Sequence, residues 1–285
     1  MNIRSDLAID ITEELDENND GFTIKKERFN EIISTTVHIK NKSGENSIGR
    51  MMGKYITIEM PNFSHKSELL DYRLEILNNK IKSLIPPYAK SFLVVGLGNE
   101  NITPDALGPK TIENVFATRH MENLESKILK LPKFNPVSVI STGVLAQTGI
   151  ESSEYICSVQ KFVKAEAVIV IDAFATNSIN RLGKSIQICN TGISPGSGVY
   201  NSRKEISQKK LGVPVISIGI PTVIDYVFLS TKESEENNKK ATNNSMIVTP
   251  KNIDLIVDRA SLLLGLGINC ALNPQIEPDM FLSLM

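Results

Sequence analysis

From about residue 90 onward the chain sets short apolar runs between longer stretches of mixed polarity. Residues 92–95, 137–140, 167–171, 185–189 and 213–218 are brief runs rich in valine and isoleucine, and they read as buried strands. Between them, 105–122 and 149–164 have the length and spacing of helices. Glu151 and Glu154 put negative charge at the start of the second, where unpaired backbone N–H groups favour it. A last helix is predicted over 252–266, with Ile253, Ile256, Leu262 and Leu263 facing inward. This alternation predicts an α/β fold: a mostly parallel or mixed central sheet with helices on both faces.

The N-terminal third reads differently. Residues 37–40 and 55–60 alternate like strands, and 41–53, rich in Asn, Ser and Gly, reads as the connection of a hairpin. These are small β additions ahead of the main sheet. Residues 62–83 predict an amphipathic helix with Leu69, Leu70, Leu74, Leu77 and Ile81 on one face, stopped by Pro86 and Pro87. Residues 1–30 are polar and acidic, with Ile9, Ile11 and Leu15 as anchors for a partial helix or strand. Residues 230–245, STKESEENNKKATNNS, predict a mobile surface loop.

Composition narrows the classes. A chain of 285 residues with 41% hydrophobic content suits one large α/β domain or two small ones. A net charge of −1 gives no electrostatic reason to bind nucleic acid or a membrane. No uncharged apolar stretch approaches the ~18 residues of a membrane span, and the acidic start does not read as a signal peptide. Cys157, Cys189 and Cys270 are scattered without a CxxC spacing, which reads as reduced core thiols in a cytosolic protein. His38, His65 and His120 lie near no HExxH or GxSxG pattern, so Ser-His and zinc-protease readings are poor, and no cofactor is expected.

The candidate chemistry lies at the ends of two apolar runs. Residues 92–95 run into Gly96, Gly98 and Asn99, a tight turn, and Thr103 and Pro104 then announce a helix with Asp105 close behind. Asp172 ends the run 167–171. The carboxyl edge of an open α/β sheet is where ligands bind, so both carboxylates are candidates for one site. Carboxylates close together share a proton, and such a pair both activates water and protonates a leaving amine. The bland alternative is that Asp105 is a helix N-terminal charge and Asp172 a turn former. The 96–99 turn lacks the third glycine of a dinucleotide fingerprint. The glycine-rich loop of Gly192, Gly196 and Gly198 lacks the GK[ST] ending of a phosphate loop. It is either a chain passing close to a substrate backbone or a sharp turn before a helix at 203–209. Asp225 is a third possible edge carboxylate, or the N-cap of the segment that follows.

Six blocks carry a family likeness: GLGNENITPDALGP (96–109), TGVLAQTGIES (142–152), VIDAFA (170–175), SIQICNTGISPGSGVYNSRKE (185–205), LGVPVISIGIPTVID (211–225) and IVTPKNID (247–254). With RSDLA (4–8) and GKYITIE (53–59) they resemble, in order and over almost the whole chain, the germination protease family of endospore-forming bacteria. That resemblance implies an atypical aspartic-type endopeptidase acting on small acid-soluble spore proteins. It implies a fold like that of the hydrogenase maturation proteases and a homotetramer in the cytoplasm of the forespore and spore core. It implies that Asp105 and Asp172 are the essential aspartates and that no metal is needed. The family is made as a zymogen that removes its own N-terminal segment. Here the matching bond is Asp6–Leu7, giving a propeptide of residues 1–6, short for the family, and a single α/β peptidase domain over 7–285.

The substrate groove is expected around Gly96, Gly98, Asn99, Gly192, Gly196 and Gly198. Phe174, Asn190 and Tyr200 depart from residues common in the family at those places. The rival expectations are a catalytically inactive relative that only binds spore proteins, and a nickel-dependent protease of the hydrogenase-maturation kind.

Overall fold

The computed structural model describes residues 5–12, 15, 20–61, 63, 70–123, 133–199, 203–225 and 246–284. The first short helix, α1 (Ala8–Thr12), precedes a hairpin of β1 (Phe22–Phe29) and β2 (Ile32–Ile39). The hairpin turns at Asn30, whose φ of 53° is one that asparagine tolerates. Strand β1 is not predicted from the sequence, because its alternation is broken by Lys25, Lys26, Glu27 and Arg28. The connection at 41–53 does join two antiparallel strands, but it contains a helix, α2 (Lys42–Ile48), before β3 (Gly53–Glu59). Helix α3 (Tyr72–Lys82) starts ten residues later than the amphipathic stretch predicted, because the Asp71 side chain caps it by accepting from Arg73 N–H at 2.9 Å. Leu74, Leu77 and Ile81 face the core as expected, Leu70 is exposed, and Leu69 lies outside the described residues.

The main sheet follows. Strand β4 (Phe92–Gly96) leads through a 3₁₀ turn (Thr103–Asp105) to α4 (Leu107–Glu113). The helix predicted over 105–122 is therefore three pieces, the last a 3₁₀ turn over Arg119–Asn123. Pro109 explains the break: a proline ring clashes with the carbonyl four residues back, so Asp105 cannot belong to the helix that holds Pro109. Strand β5 (Val137–Ser141) is followed by α5 (Leu145–Thr148) and α6 (Ser152–Val163). Strand β6 (Ala167–Thr176), β7 (Ser185–Cys189), α7 (Gln208–Leu211), β8 (Val215–Asp225), β9 (Ile247–Val248), α8 (Ile253–Leu272) and α9 (Pro278–Leu284) complete the described elements. Where a helix was expected over 203–209, Ile206 instead bridges Ile193, and only the last turn is helical. The loop expected at 230–245 lies outside the described residues.

The strands form one mixed sheet in the order β1-β2-β3-β7-β8-β6-β4-β5, with β9 paired to β8. Its central part is parallel, β8 to β6, β6 to β4 and β4 to β5, while β7 and the N-terminal hairpin run antiparallel. Side chains alternate between two cores. Phe92 and Val94, with Ala167, Ile169 and Ile171, pack toward α3, α4 and α8; Leu93 and Val95, with Val168 and Val170, pack toward α6 and α7. The α/β architecture with helices on both faces is thus as predicted. Helix α8 is long and apolar enough to cross a membrane, yet most of it is buried in the protein's own core. Of its predicted inward residues, Ile253, Ile256 and Leu263 are buried and Leu262 is half-buried.

Gly108 fixes how close α4 comes to the sheet. A Cβ there would lie 2.2 Å from the Leu97 carbonyl oxygen and 2.7 Å from that of Ile171. Gly108→Ala is expected to destabilise the protein by about 1–3 kcal/mol, because backbone, rather than a flexible side chain, must give way. Urea denaturation checks this, and an unchanged midpoint would show that α4 can shift freely.

Candidate functional site

Strand β4 separates two connections that leave in opposite directions. The chain passes from β4 to β5 on one side, and β6 lies on the other. A crevice opens at such a switch point, beyond the carboxyl ends of the strands. Gly96, the last residue of β4, pairs with Ile171, so Asp172 is the first β6 residue beyond the end of its neighbour. Asp172 does not end its own strand, as the sequence suggested. β6 continues to Thr176 beside β8, with a register shift between Phe174 and Ala175. The apolar run stops at Asp172 because its β4 partner stops.

Asp105 reaches the same crevice from the 3₁₀ turn after β4. Its carboxylate accepts from Asn99 N–H at 2.7 Å. Gly98 makes this approach feasible: its φ is 106°, and a Cβ there would lie 2.0 Å from the Asp105 carbonyl oxygen. Asp105 and Asp172 both line a cavity of about 390 Å³, with Gly98, Pro104, Glu151, Phe174 and Arg203 among the walls.

A third carboxylate lines it as well, that of Asp6. Residues 5–7 run alongside the end of β6. The Asp6 N–H donates to the Ala175 carbonyl at 2.9 Å, and the Ala175 N–H donates back to Asp6 Oδ2 at 2.8 Å. Ser197 Oγ donates to Asp6 Oδ1 at 2.9 Å, and Gly198 adds a backbone hydrogen bond. A Cβ on Gly198 would meet Asp6 Oδ2 at 2.4 Å, so glycine is required for this contact. Gln187 brackets the Asp6–Leu7 peptide, donating to the Asp6 carbonyl at 2.8 Å and accepting from Ala8 N–H at 2.7 Å. The Leu7 side chain is fully buried with Ile9 and Phe174.

Electrostatics divide the two edge aspartates. Burial and the charges of Asp105 and Asp6 hold the Asp172 carboxyl well above the usual carboxylate range. Asp105 is raised by burial, which the Asn99 N–H opposes. Asp6 is raised by burial, opposed by its hydrogen bonds from Ala175, Ser197 and Gly198 and by the Arg50 charge. Of the two edge aspartates, Asp172 therefore keeps its proton to higher pH than Asp105.

The expected groove residues separate. Gly98 and Gly196 line the cavity, and Gly198 cradles Asp6. Asn99 serves Asp105 through its backbone. Gly96 instead lets Gly108 approach, and Gly192 lines a neighbouring cavity of about 320 Å³ beside Tyr55 and Cys189. Asp225 closes β8 opposite Ile247, and the segment it was to cap lies outside the described residues. Among the described residues no group of three or more His, Cys, Asp or Glu is placed to hold a metal ion. Cys157, Cys189 and Cys270 are free thiols, the last two buried. The sequence does not single out Gln187, Ser197 or Arg50, because nothing in their local patterns ties them to residue 6.

A sequence profile described as germination protease matches residues 3–235. A germination protease of Clostridium tetani is 37% identical, covering 97% of this chain and 97% of its own length. One from Caldanaerobacter subterraneus subsp. tengcongensis is 39% identical over 98% of this chain and 97% of its own length. One from Bacillus cereus is 33% identical over 97% and 95%. Among solved structures, the [NiFe] hydrogenase maturation protease HycI of Thermococcus kodakarensis is 17% identical with a TM-score of 0.39, covering 68% of this chain and 98% of that one. Matched along nearly its whole length by relatives above 30% identity, this chain belongs to the germination protease family and is a peptidase of spore germination.

Proposed function

We propose that this chain is an aspartic-type endopeptidase, made as a self-processing zymogen, that degrades small acid-soluble spore proteins with a water activated between Asp105 and Asp172. The observation that carries the reading is the unequal pair of carboxylates opening into one cavity. In this scheme ionised Asp105 takes a proton from water as the oxygen attacks the peptide carbonyl carbon. Protonated Asp172 gives its proton to the departing nitrogen as the C–N bond breaks. The products are a carboxyl and an amine, and a proton passing from Asp105 to Asp172 restores the starting state. No metal or cofactor enters the scheme. The proposal includes assembly as a homotetramer in the spore-core cytoplasm, which the family resemblance supports.

Self-cleavage at Asp6–Leu7 is supported by where that segment lies. The Asp6 side chain lines the same cavity as Asp105 and Asp172, and Gln187 grips the polar groups on both sides of the bond. Intact-mass spectrometry of the full chain, incubated alone and then with a small acid-soluble spore protein, tests the proposal. The expected result is loss of residues 1–6 and discrete cuts in the substrate. A folded sample with unchanged mass that binds the substrate without cutting it would replace this reading with that of an inactive, binding-only relative.

A further inference from the structure

Asp10 is 3% exposed, and its carboxylate does not face the cavity chemistry described above. Its Oδ1 takes a hydrogen bond of 2.6 Å from the Arg181 guanidinium, which also pairs with Glu59 at 3.1 Å. Its Oδ2 accepts from Thr176 Oγ1 at 2.7 Å, from Asn177 N–H at 3.2 Å and from the Ser5 hydroxyl. The same Ser5 hydroxyl accepts from the Leu7 N–H at 3.0 Å. One removable hydroxyl therefore stands between Asp10 Oδ2 and the nitrogen of residue 7.

We propose that Asp10 is a preformed binding site for an α-amino group, the one created at Leu7 when the Asp6–Leu7 bond is cut. The inference rests on the cleavage position given above. Hydrolysis adds water across the bond: the oxygen goes to the Asp6 carbonyl carbon, and the Leu7 nitrogen, after protonation, becomes an ammonium. Departure of residues 1–6 takes away the Ser5 hydroxyl, so a buried carboxylate loses a donor as a stronger one forms beside it. A buried carboxylate oxygen short of a donor is costly, and a charged donor restores it. Leu7 and Ile9 hold the new terminus in place through their packing on Phe174. The charged groups that face Asp10 are Arg181 and, through it, Glu59; Arg50 binds the neighbouring Ser5 carbonyl. Because Asp10 also binds Thr176 and Asn177, the ion pair ties the cut chain to the end of β6, the strand that carries Asp172. The cut would thus be locked in by the terminus it produces.

The test measures the reactivity of that amine. The full chain is folded and allowed to cut itself. In a second version a site-specific protease sequence replaces residues 1–6, so that cutting the folded protein also leaves Leu7 first. The α-amino group is then labelled with isotopic acetic anhydride across pH and read by mass spectrometry, folded and in urea. A free α-amino group titrates at about 8, and a rise of one unit or more makes labelling at pH 7.5 about tenfold slower in the folded state. Asp10→Asn should restore the unfolded rate. Equal folded and unfolded rates in the natural sequence would overturn the latch, and that comparison stands even if Asp10→Asn fails to fold. If only the second version can be cut, the self-cleavage reading fails while the latch is still decided.

Discussion

Replacing either edge aspartate should abolish most peptide hydrolysis. Asp105→Asn and Asp172→Asn are each expected to lower kcat/KM by about 10²–10⁴-fold, the usual contribution of a positioned acid or base. The two should differ in every other respect. Asp172 is raised by burial and by two neighbouring carboxylates, so the folded state holds its proton to higher pH than the unfolded chain does. Stability from that proton is fully present below the ordinary aspartate value and is lost as pH rises through the raised one. At neutral pH the wild type therefore carries a cost, because folding must either bury the charge or take up a proton from solution.

An asparagine side chain is neutral at every pH, so Asp172→Asn should be more stable than wild type at pH 7 and no more stable at pH 3. Asp105→Asn should gain less, because Asp105 is less buried and has an N–H donor that asparagine also keeps. The pH–rate profile of the wild type should be bell-shaped, with loss on the acid side as Asp105 protonates and on the alkaline side as Asp172 ionises. Urea denaturation at the two pH values and peptide assays across the range check all of this. A variant at 172 that keeps wild-type rates, or that is less stable at neutral pH, would remove Asp172 from the role of acid.

How much of this was legible beforehand depended on whether the signal was local. The strands β4 and β6 show as short apolar runs because both of their faces are buried, and both faces demand apolar side chains. Asp172 could be named because it is the first polar residue after such a run, and Asp105 because it follows the tight turn and the Thr103-Pro104 helix signal that come after another. What could not be read was the reason for each placement. Pro109 was visible, but its effect is to exclude Asp105 from α4, which matters only once Gly108 is seen against the backbone of Leu97 and Ile171. Strand β1 was hidden by its charges, since it lies at the edge of the sheet with mostly exposed side chains. The polar net around residues 5–10 joins positions some 170 apart in sequence, and no spacing rule reaches that far.

Arg181 is the costliest part of that net to remove. Its side chain is 6% exposed, and the Asp10 side chain it pairs with is fully buried. Arg181→Met fills the space with an apolar chain but leaves Asp10 charged, with only hydroxyl and amide donors from Ser5, Thr176 and Asn177. Breaking a buried pair in this way typically costs about 3–5 kcal/mol, because one uncompensated charge remains. Replacing both partners removes the charge together with its partner, so Arg181→Met combined with Asp10→Asn should recover most of the loss. The double-mutant cycle, read by urea denaturation, should therefore be strongly non-additive.

Lys204 and Glu154 provide the contrast. They are paired at 2.6 Å, but each side chain is 59% exposed, so Lys204→Ala should change stability far less. If Arg181→Met proved no more damaging than Lys204→Ala, the buried pair would be worth no more than an exposed one, and Asp10 would be a poor anchor for a new amino terminus. The same variant made after the cut at Asp6–Leu7 should cost less than in the uncut chain, since the Leu7 ammonium then shares the neutralisation of Asp10.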